Sequence, residues 1–159
     1  MNYVIYTDGS CSVREHLGGY AAIVQYNGQQ IVIHGNKKPT TNNEMELLAV
    51  IMALRSITRF TICEDCVIVH SDSAYVVNAI NEGWLQKWIR NGWKTKDGKP
   101  VKNQKLWSEL LAIMNVYADM EVSVKLVKVK GHSDCKLNSY VDKLAVKETE
   151  ILKSKQLED

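Results

Sequence analysis

Three strand-like segments follow one another closely at the start of the chain, and this arrangement restricts the possible fold more than any other feature. Residues 3–7, 19–26 and 30–34 are short runs rich in β-branched and aromatic side chains. Asn27-Gly28 lies between the second and third runs, and this dipeptide is typical of a tight turn between antiparallel strands. We therefore expect an antiparallel three-strand meander before the first helix.

The remainder of the chain alternates helical and strand patterns. We predict helices over residues 43–58, 73–90, 103–118 and 139–154 and strands over residues 67–71 and 122–129. The second helix is expected to break near Gly83. Residues 91–102 lack an apolar period and contain two glycines and a proline, so they are expected to form a projecting loop. Three strands followed by βα units predict an α/β fold with a five-stranded mixed sheet flanked by helices.

Length and composition exclude several classes of protein. The chain has 159 residues, of which 45% are hydrophobic and 24% are charged, which suits one soluble domain over residues 1–159 with a frayed tail at 155–159. No apolar run is long enough to span a membrane, and no signal peptide is recognisable. Four cysteines are too few for a disulfide framework at this length. We expect a cytoplasmic monomer without a membrane partner.

Four acids lie directly beside apolar runs: Asp8, Glu46, Asp72 and Asp142. Carboxylates are rarely buried unless they are paired or bind a metal. In α/β sheets, ligand sites form where the ends of strands meet the starts of helices. We expect two of the acids at the ends of strands and two in the first turns of helices, so that all four converge at one edge of the sheet.

Taken singly, these acids also have structural explanations: a turn at Asp8-Gly9, a helix cap at Asp72 and a favourable interaction with a helix dipole at Asp142. Glu46 is harder to explain in this way. Side chains two residues apart on a helix point about 200° apart, so Glu44 and Glu46 face opposite ways and one of them must face inward.

Clustered carboxylates raise one another's pKa values unless a cation neutralises them. Mg²⁺ prefers oxygen ligands and binds a few carboxylates together with substrate phosphates. Two such ions would suit hydrolysis of a phosphodiester. His132 lies in a polar loop ten residues before Asp142, where it is either a surface histidine or a group that transfers protons at the same site.

A basic and aromatic segment spans residues 84–105. It contains seven basic residues, one acid and three of the four tryptophans. One interpretation is a solvated charged face that tryptophans anchor to the core, and the other is a surface for a nucleic-acid backbone. Cys63 and Cys66 have C-x-x-C spacing, which we interpret as a turn. Asn42-Asn43 either caps a helix or reads hydroxyls and base edges.

Five motifs together resemble type 1 ribonuclease H. They are YTDGSC at 6–11, TNNEMEL at 41–47, SDS at 71–73, KGH at 130–132 and VDKLA at 141–145. They occur in the order and at the spacing found in that family, and the resemblance covers about residues 3–150. The basic segment is similar to the basic protrusion of bacterial members.

The resemblance implies a ribonuclease H-like fold and endonucleolytic cleavage of the RNA strand in RNA–DNA hybrids. Asp8, Glu46, Asp72 and Asp142 would hold two Mg²⁺ ions, for which Mn²⁺ is a possible substitute. One ion would activate water and the other would stabilise the leaving 3′ oxygen, so that products carry 5′-phosphate and 3′-hydroxyl ends. His132 would assist product departure or shuttle protons.

The resemblance also assigns substrate contacts. Cys11, Asn42 and Asn43 match positions that approach the RNA strand, whose 2′-hydroxyls mark it as RNA. Thr41 and Asn103 match a pocket for a DNA phosphate, and Trp84 matches an aromatic residue in the DNA channel. Lys94 and Lys96 of the basic segment are expected to contact phosphates. Two other hypotheses are a hybrid-binding module without catalysis and a DNA-directed nuclease of the same fold.

The chain departs from the family pattern at three places. Residues 12–17 replace a loop that is commonly rich in glycine and proline. Glu44 stands where many members have an arginine near the DNA phosphate. Ala74 stands where many have a glutamine that contacts RNA, so we expect one hydrogen bond fewer there.

Overall fold

The computed structural model describes residues 1–130 and 135–158. Its five strands are β1 (Asn2–Ser12), β2 (Leu17–Tyr26), β3 (Gln29–Lys37), β4 (Cys66–Ser71) and β5 (Ser123–Lys128). They form one sheet in the order β3-β2-β1-β4-β5, with β2 antiparallel to β1 and β3, β4 parallel to β1, and β5 parallel to β4. The predicted meander and the mixed five-stranded sheet are therefore confirmed.

Helices cover both faces of this sheet. They are α1 (Asn42–Ile57), α2 (Ala74–Asn81), α3 (Trp84–Arg90), α4 (Gln104–Asp119) and α5 (Lys136–Glu158). Successive strand side chains point to opposite faces, so Ala22 and Val24 pack in the core that contains α1, whereas Ala21 and Ile23 pack against α5. Helix α4 lies against α1, and the Tyr117 hydroxyl donates a hydrogen bond to the Leu54 carbonyl oxygen at 2.5 Å.

Strand β1 is five residues longer at its C-terminal end than the apolar run predicts, and Asp8 lies inside it rather than after it. The parallel pairing of β1 with β4 ends at Thr7 and Ser71, but the antiparallel pairing with β2 continues from Asp8 to Ser12. Hydrogen bonds from β2 therefore extend the strand past the point where the sequence becomes polar. The turn explanation for Asp8 is wrong.

The helical pattern over residues 73–90 forms two helices, as expected from the glycine within it. Gly83 has a φ of +74° and precedes Trp84, the first residue of α3. This left-handed conformation is costly for residues that carry a Cβ atom. Within residues 91–102, a turn over residues 95–99 is closed by a backbone hydrogen bond from the Thr95 N–H to the Lys99 carbonyl oxygen at 2.8 Å. Buried Val101 attaches the segment to the core.

Helix α5 begins three residues earlier and ends four residues later than predicted. As a result, Asp142 lies in the second turn of α5, and the predicted frayed tail is helical through residue 158. Glu46 likewise lies just beyond the first turn of α1, whose first-turn acid is Glu44. Asp142 is thus too far from the first turn for the helix dipole to explain it, since that effect falls off within one turn.

Across residues 1–130 and 135–158, none of the helices combines the length and apolar character that crossing a membrane requires.

Candidate active site

Three carboxylates from three different elements meet at one edge of the sheet. One oxygen of each of Asp8, Glu46 and Asp72 lies within 4.8 Å of the other two. Asp8 is 3% exposed and Glu46 is 5% exposed, whereas Asp72 is half-buried. Each of these acids was predicted to belong to one site, and the fold brings them within the span of a cation and its ligands.

The local structure explains why the three side chains converge. Asp8 is the first residue of β1 beyond its pairing with β4, and Asp72 directly follows the end of β4. Helix α2 is capped by the Ser73 hydroxyl, which accepts from the Val76 N–H at 3.3 Å, so the cap explanation for Asp72 is wrong. Both aspartates therefore lie where β1 and β4 stop pairing.

Helix α1 approaches β1 closely enough to add Glu46. A Cβ atom at Gly9 would lie 2.5 Å from the Glu46 backbone nitrogen and 2.6 Å from the Met45 carbonyl carbon. The local sequence predicts Gly9 only as part of a turn and gives no indication of this contact. The signal in the sequence is a glycine directly after Asp8, whereas the continuation of β1 past it follows from pairing with β2.

Asp142 completes the group from the other face of the sheet. It is exposed on α5 and lines the same cavity of about 270 Å³ as the three other acids. The remaining lining residues are Gly9, Asn42, Asn138 and Ser139. Asn138 and Ser139 were not predicted as site residues, because nothing in their spacing distinguishes them from other polar positions of a helix.

Burial raises the pKa values of the two innermost acids. It raises the pKa of Glu46 to about 10, with further contributions from the charges of Asp8 and Asp72. Burial also raises the pKa of Asp8 to about 7. A hydrogen bond shared with Glu46 and one donated by the Gly9 N–H partly offset this increase in the pKa. In the absence of a cation, the site therefore retains protons at neutral pH.

One oxygen of the site is especially suited to a cation. Glu46 Oε2 is buried and has no hydrogen-bond partner among the described residues. An unsatisfied buried acceptor is unfavourable, and a cation or its hydration water would satisfy it. Carboxylate oxygens without histidine or thiolate neighbours are typical of sites for hard divalent cations. The described residues thus fit such an ion.

A second cavity of about 540 Å³ adjoins the first, and Asn42 lines both. It is lined by Thr41, Asn42, Asn43, Tyr75, Lys102 and Asn103. The Tyr75 hydroxyl accepts hydrogen bonds from Asn103 Nδ2 at 3.2 Å and from Trp107 Nε1 at 2.9 Å. The fold thus places around one cavity four residues that were predicted to contact substrate, the DNA-phosphate pair and the two asparagines assigned to the RNA strand. It adds Tyr75, which the sequence did not indicate, and Lys102, which was predicted only as part of the basic segment.

A third cavity of about 340 Å³ lies in the basic segment. It is lined by Trp84, Lys87, Trp88, Asn91, Lys94, Thr95, Lys96 and Asp97. Trp88 packs edge-on against buried Trp107 at a centroid distance of 5.4 Å, whereas Lys94 and Lys96 are exposed. The aromatic side chains therefore anchor the segment, and the lysines are free to meet a ligand.

Other residues singled out from the sequence lie around these cavities. The Cys11 thiol donates a hydrogen bond to the Thr40 carbonyl oxygen at 3.6 Å. Thr40 directly precedes Thr41, which lines the second cavity. Glu44 pairs with Lys37 and accepts from the Thr40 hydroxyl at 2.9 Å, so it faces away from Glu46 as the helical spacing predicts. His132 lies outside the described residues.

Comparisons with known proteins agree with this architecture. The family model for RNase H matches residues 1–150. The ribonuclease H of Caldicellulosiruptor saccharolyticus is 47% identical over 143 residues, which cover 89% of this chain and 92% of that protein. The ribonuclease H of Chlorobaculum parvum is 44% identical over 142 residues, which cover 89% and 90%, respectively.

Solved structures give the same result. LC9-RNase H1, described as a type 1 RNase H with the type 2 active-site motif, is 30% identical and superposes with a TM-score of 0.77, covering 94% of this chain and 72% of that one. LC11-RNase H1, solved in complex with an RNA/DNA hybrid, is 19% identical with a TM-score of 0.69, covering 94% and 98%. At that identity the likeness concerns the fold alone.

Proposed function

Since this chain belongs to the RNase H family and is an enzyme of that family, we propose that it hydrolyses the RNA strand of RNA–DNA hybrids at the carboxylate site. The observation that carries the proposal is the meeting of Asp8, Glu46 and Asp72 within 4.8 Å beside the cavity that Asp142 also lines. We propose that these four residues hold two Mg²⁺ ions, with Mn²⁺ as a possible substitute. The products would carry 5′-phosphate and 3′-hydroxyl ends.

The chemistry of the bound ions is general. Divalent cations lower the pKa of water and stabilise both the attacking and the leaving oxygen of an in-line displacement at phosphorus. The chain contributes fixed oxygen ligands. Asp8 and Glu46 are held by the sheet and by α1, and their raised pKa values mean that cation binding must displace protons. Asp142 reaches the same cavity from its exposed side, where substrate enters.

Substrate positioning is proposed to involve the second cavity. Asn42 lies between the two cavities, so its amide can contact the RNA strand beside the scissile phosphate. The Thr41 hydroxyl, the Asn103 amide and the Lys102 ammonium are suited to a phosphate of the DNA strand, because they offer two hydrogen-bond donors and one positive charge. Asn43 and Cys11 would face the RNA strand from neighbouring positions.

The basic segment is proposed to extend the contact along the duplex. Lys94 and Lys96 would meet phosphates, and Trp84 would pack against a sugar of the DNA strand. His132 is proposed to shuttle protons or assist product release. We also propose a single domain that acts as a cytoplasmic monomer, in keeping with its four free cysteines.

The experiment compares cleavage of three labelled duplexes of one sequence: RNA–DNA hybrid, duplex DNA and duplex RNA, with Mg²⁺, with Mn²⁺ and with EDTA. We expect cation-dependent cleavage of the RNA strand of the hybrid alone. Enzymatic analysis of the product ends should give 5′-phosphates. Binding of the hybrid without cleavage would support a non-catalytic module, and cleavage of duplex DNA would support a DNA-directed nuclease.

A further inference from the structure

Two residues that line the carboxylate cavity each have a buried side-chain oxygen without a hydrogen-bond partner. The oxygens are Glu46 Oε2 and Asn138 Oδ1, and within the described part of the chain no other buried side-chain nitrogen or oxygen lacks one. Both residues line the same cavity of about 270 Å³. Because buried polar atoms are almost always satisfied in folded proteins, the coincidence of two such atoms in one cavity indicates a ligand that serves both.

Asn138 is positioned by its helix. It lies in the first turn of α5, is 4% exposed, and precedes Asp142 by four residues. Side chains four apart on a helix lie on the same face, and these two residues line one cavity. An amide carbonyl oxygen can only accept hydrogen bonds or coordinate a cation.

Among the described residues, no group donates a hydrogen bond to Asn138 Oδ1. Of the other side chains that line the cavity, the four carboxylates accept hydrogen bonds when ionised. The Asn42 amide and the Ser139 hydroxyl are donors, but neither makes a hydrogen bond to Asn138 Oδ1. A hydrated divalent cation does offer a donor, because Mg²⁺ usually retains several of its waters, each of which is a strong donor. Groups that orient such waters commonly contribute to metal affinity.

We propose that Asn138 Oδ1 is a further oxygen of the cation site, which accepts a hydrogen bond from the hydration water of a divalent cation held by the carboxylates. Asn138 is then a positioning residue, and its oxygen orients the cation's water shell at the α5 side of the cavity. This inference rests on the proposed function, because it requires that the carboxylates bind a cation.

The test uses the full chain without nucleic acid. Asn138→Leu removes the oxygen at nearly constant volume, and Asn138→Asp retains an oxygen and adds a charge. Mg²⁺ binding is measured by isothermal titration calorimetry, and melting temperature is measured in EDTA and in Mg²⁺. Asn115→Leu, at an exposed position of α4 that does not line the cavity, is the matched control.

We expect Asn138→Leu to melt in EDTA at or above the wild-type temperature, since an unsatisfied acceptor is removed, and to bind Mg²⁺ about tenfold more weakly. Asn138→Asp should melt at a lower temperature than the wild type in EDTA, and its melting temperature should rise more than that of the wild type when Mg²⁺ is added. Asn115→Leu should bind Mg²⁺ as the wild type does.

Wild-type Mg²⁺ affinity in a folded Asn138→Leu protein would overturn the inference. If Asn138→Leu does not fold, Asn138→Asp is the deciding variant. An increase in its melting temperature on adding Mg²⁺ equal to that of the wild type would then overturn the inference. In a separate cleavage assay, a raised KM for hybrid together with wild-type Mg²⁺ binding would assign the amide to the substrate and would also overturn the inference. Failure of the proposed function is seen separately, as a wild-type protein that binds Mg²⁺ and does not cleave hybrid.

Discussion

Gly9 of β1 and Glu46 of α1 are in such close contact that a Cβ atom at position 9 would lie 2.5 Å from the Glu46 backbone nitrogen. The backbone of α1 thus occupies the space that a side chain at position 9 would fill. This contact sets the distance between the helix that carries Glu46 and the strand that carries Asp8. The geometry of the acids therefore depends on a residue that has no side chain.

Gly9→Ala should destabilise the protein and separate the acids. Inserting one methyl group into a closely packed contact typically costs about 1–3 kcal/mol. We expect a loss of that size in urea denaturation and a weaker affinity for Mg²⁺ in calorimetry. Ser10→Ala, at the next position of β1, is the control and should change both quantities little. Unchanged Mg²⁺ affinity in a folded Gly9→Ala protein would contradict this interpretation.

The raised pKa values predict how stability depends on pH without metal. The folded-state pKa of Glu46 is about 10 and its ordinary value is 4.5, while that of Asp8 is about 7 and its ordinary value is 3.8. An acid whose pKa is raised by folding stabilises the protein below its ordinary pKa, and this stabilisation is lost as the pH rises towards the folded value.

The free energy of unfolding in EDTA should therefore fall from about pH 4 upward, by up to about 1.4 kcal/mol per pH unit for each of the two groups. Urea denaturation at pH 5, 7 and 9 measures the slope. Glu46→Gln should make the slope shallower above pH 7, where Glu46 alone of the pair still titrates. Equal slopes for the two proteins in that range would show that Glu46 is not the group responsible.

Asp8→Asn should separate catalysis from stability. We expect hybrid cleavage to fall at least 100-fold, because a cation ligand is lost, and stability in EDTA to rise, because a buried acid with a raised pKa is removed. A gel assay of cleavage and urea denaturation measure the two effects. Asp119→Asn, at an exposed position of α4, should alter neither. Undiminished cleavage by Asp8→Asn would remove Asp8 from the metal site.

Tyr75→Phe should disturb the second cavity, because the Tyr75 hydroxyl accepts hydrogen bonds from Asn103 and Trp107. Loss of the hydroxyl leaves the N–H of fully buried Trp107 without its acceptor, which costs about 1–3 kcal/mol, and releases the Asn103 amide. We expect a lower melting temperature and a higher KM for hybrid with a nearly constant kcat. Tyr140→Phe, which is exposed, is the control. A KM equal to that of the wild type would mean that the position of Asn103 does not depend on Tyr75.

Replacing Lys94 and Lys96 together by Ala should weaken hybrid binding in a salt-dependent way. If both lysines meet phosphates, the slope of log affinity against log salt concentration should become shallower by about 2. Fluorescence anisotropy at several salt concentrations, with a catalytically inactive background, measures this slope. Replacing Lys153 and Lys155 near the end of α5 is the control. An unchanged slope would indicate that these lysines belong to a solvated charged face and do not contact phosphates.

The sequence by itself determined the order of strands and helices and the identity of the acids. Alternating apolar patterns and the Asn27-Gly28 turn are local signals, and they predicted the meander correctly. Helical spacing also predicted that Glu44 and Glu46 face opposite ways, because the direction of a helical side chain follows from its position in the repeat. These properties depend on neighbours within a few residues, which the sequence displays directly.

Only the tertiary structure decided where the strand at Asp8 ends and what surrounds the acids. Pairing with β2 extended β1 past its apolar run, and the contact of α1 with Gly9 set the spacing of the cluster. The cavity also acquired Asn138, and the second cavity acquired Tyr75 and Lys102. These features join residues far apart in the chain, so they depend on how elements pack, and no local pattern specifies that packing.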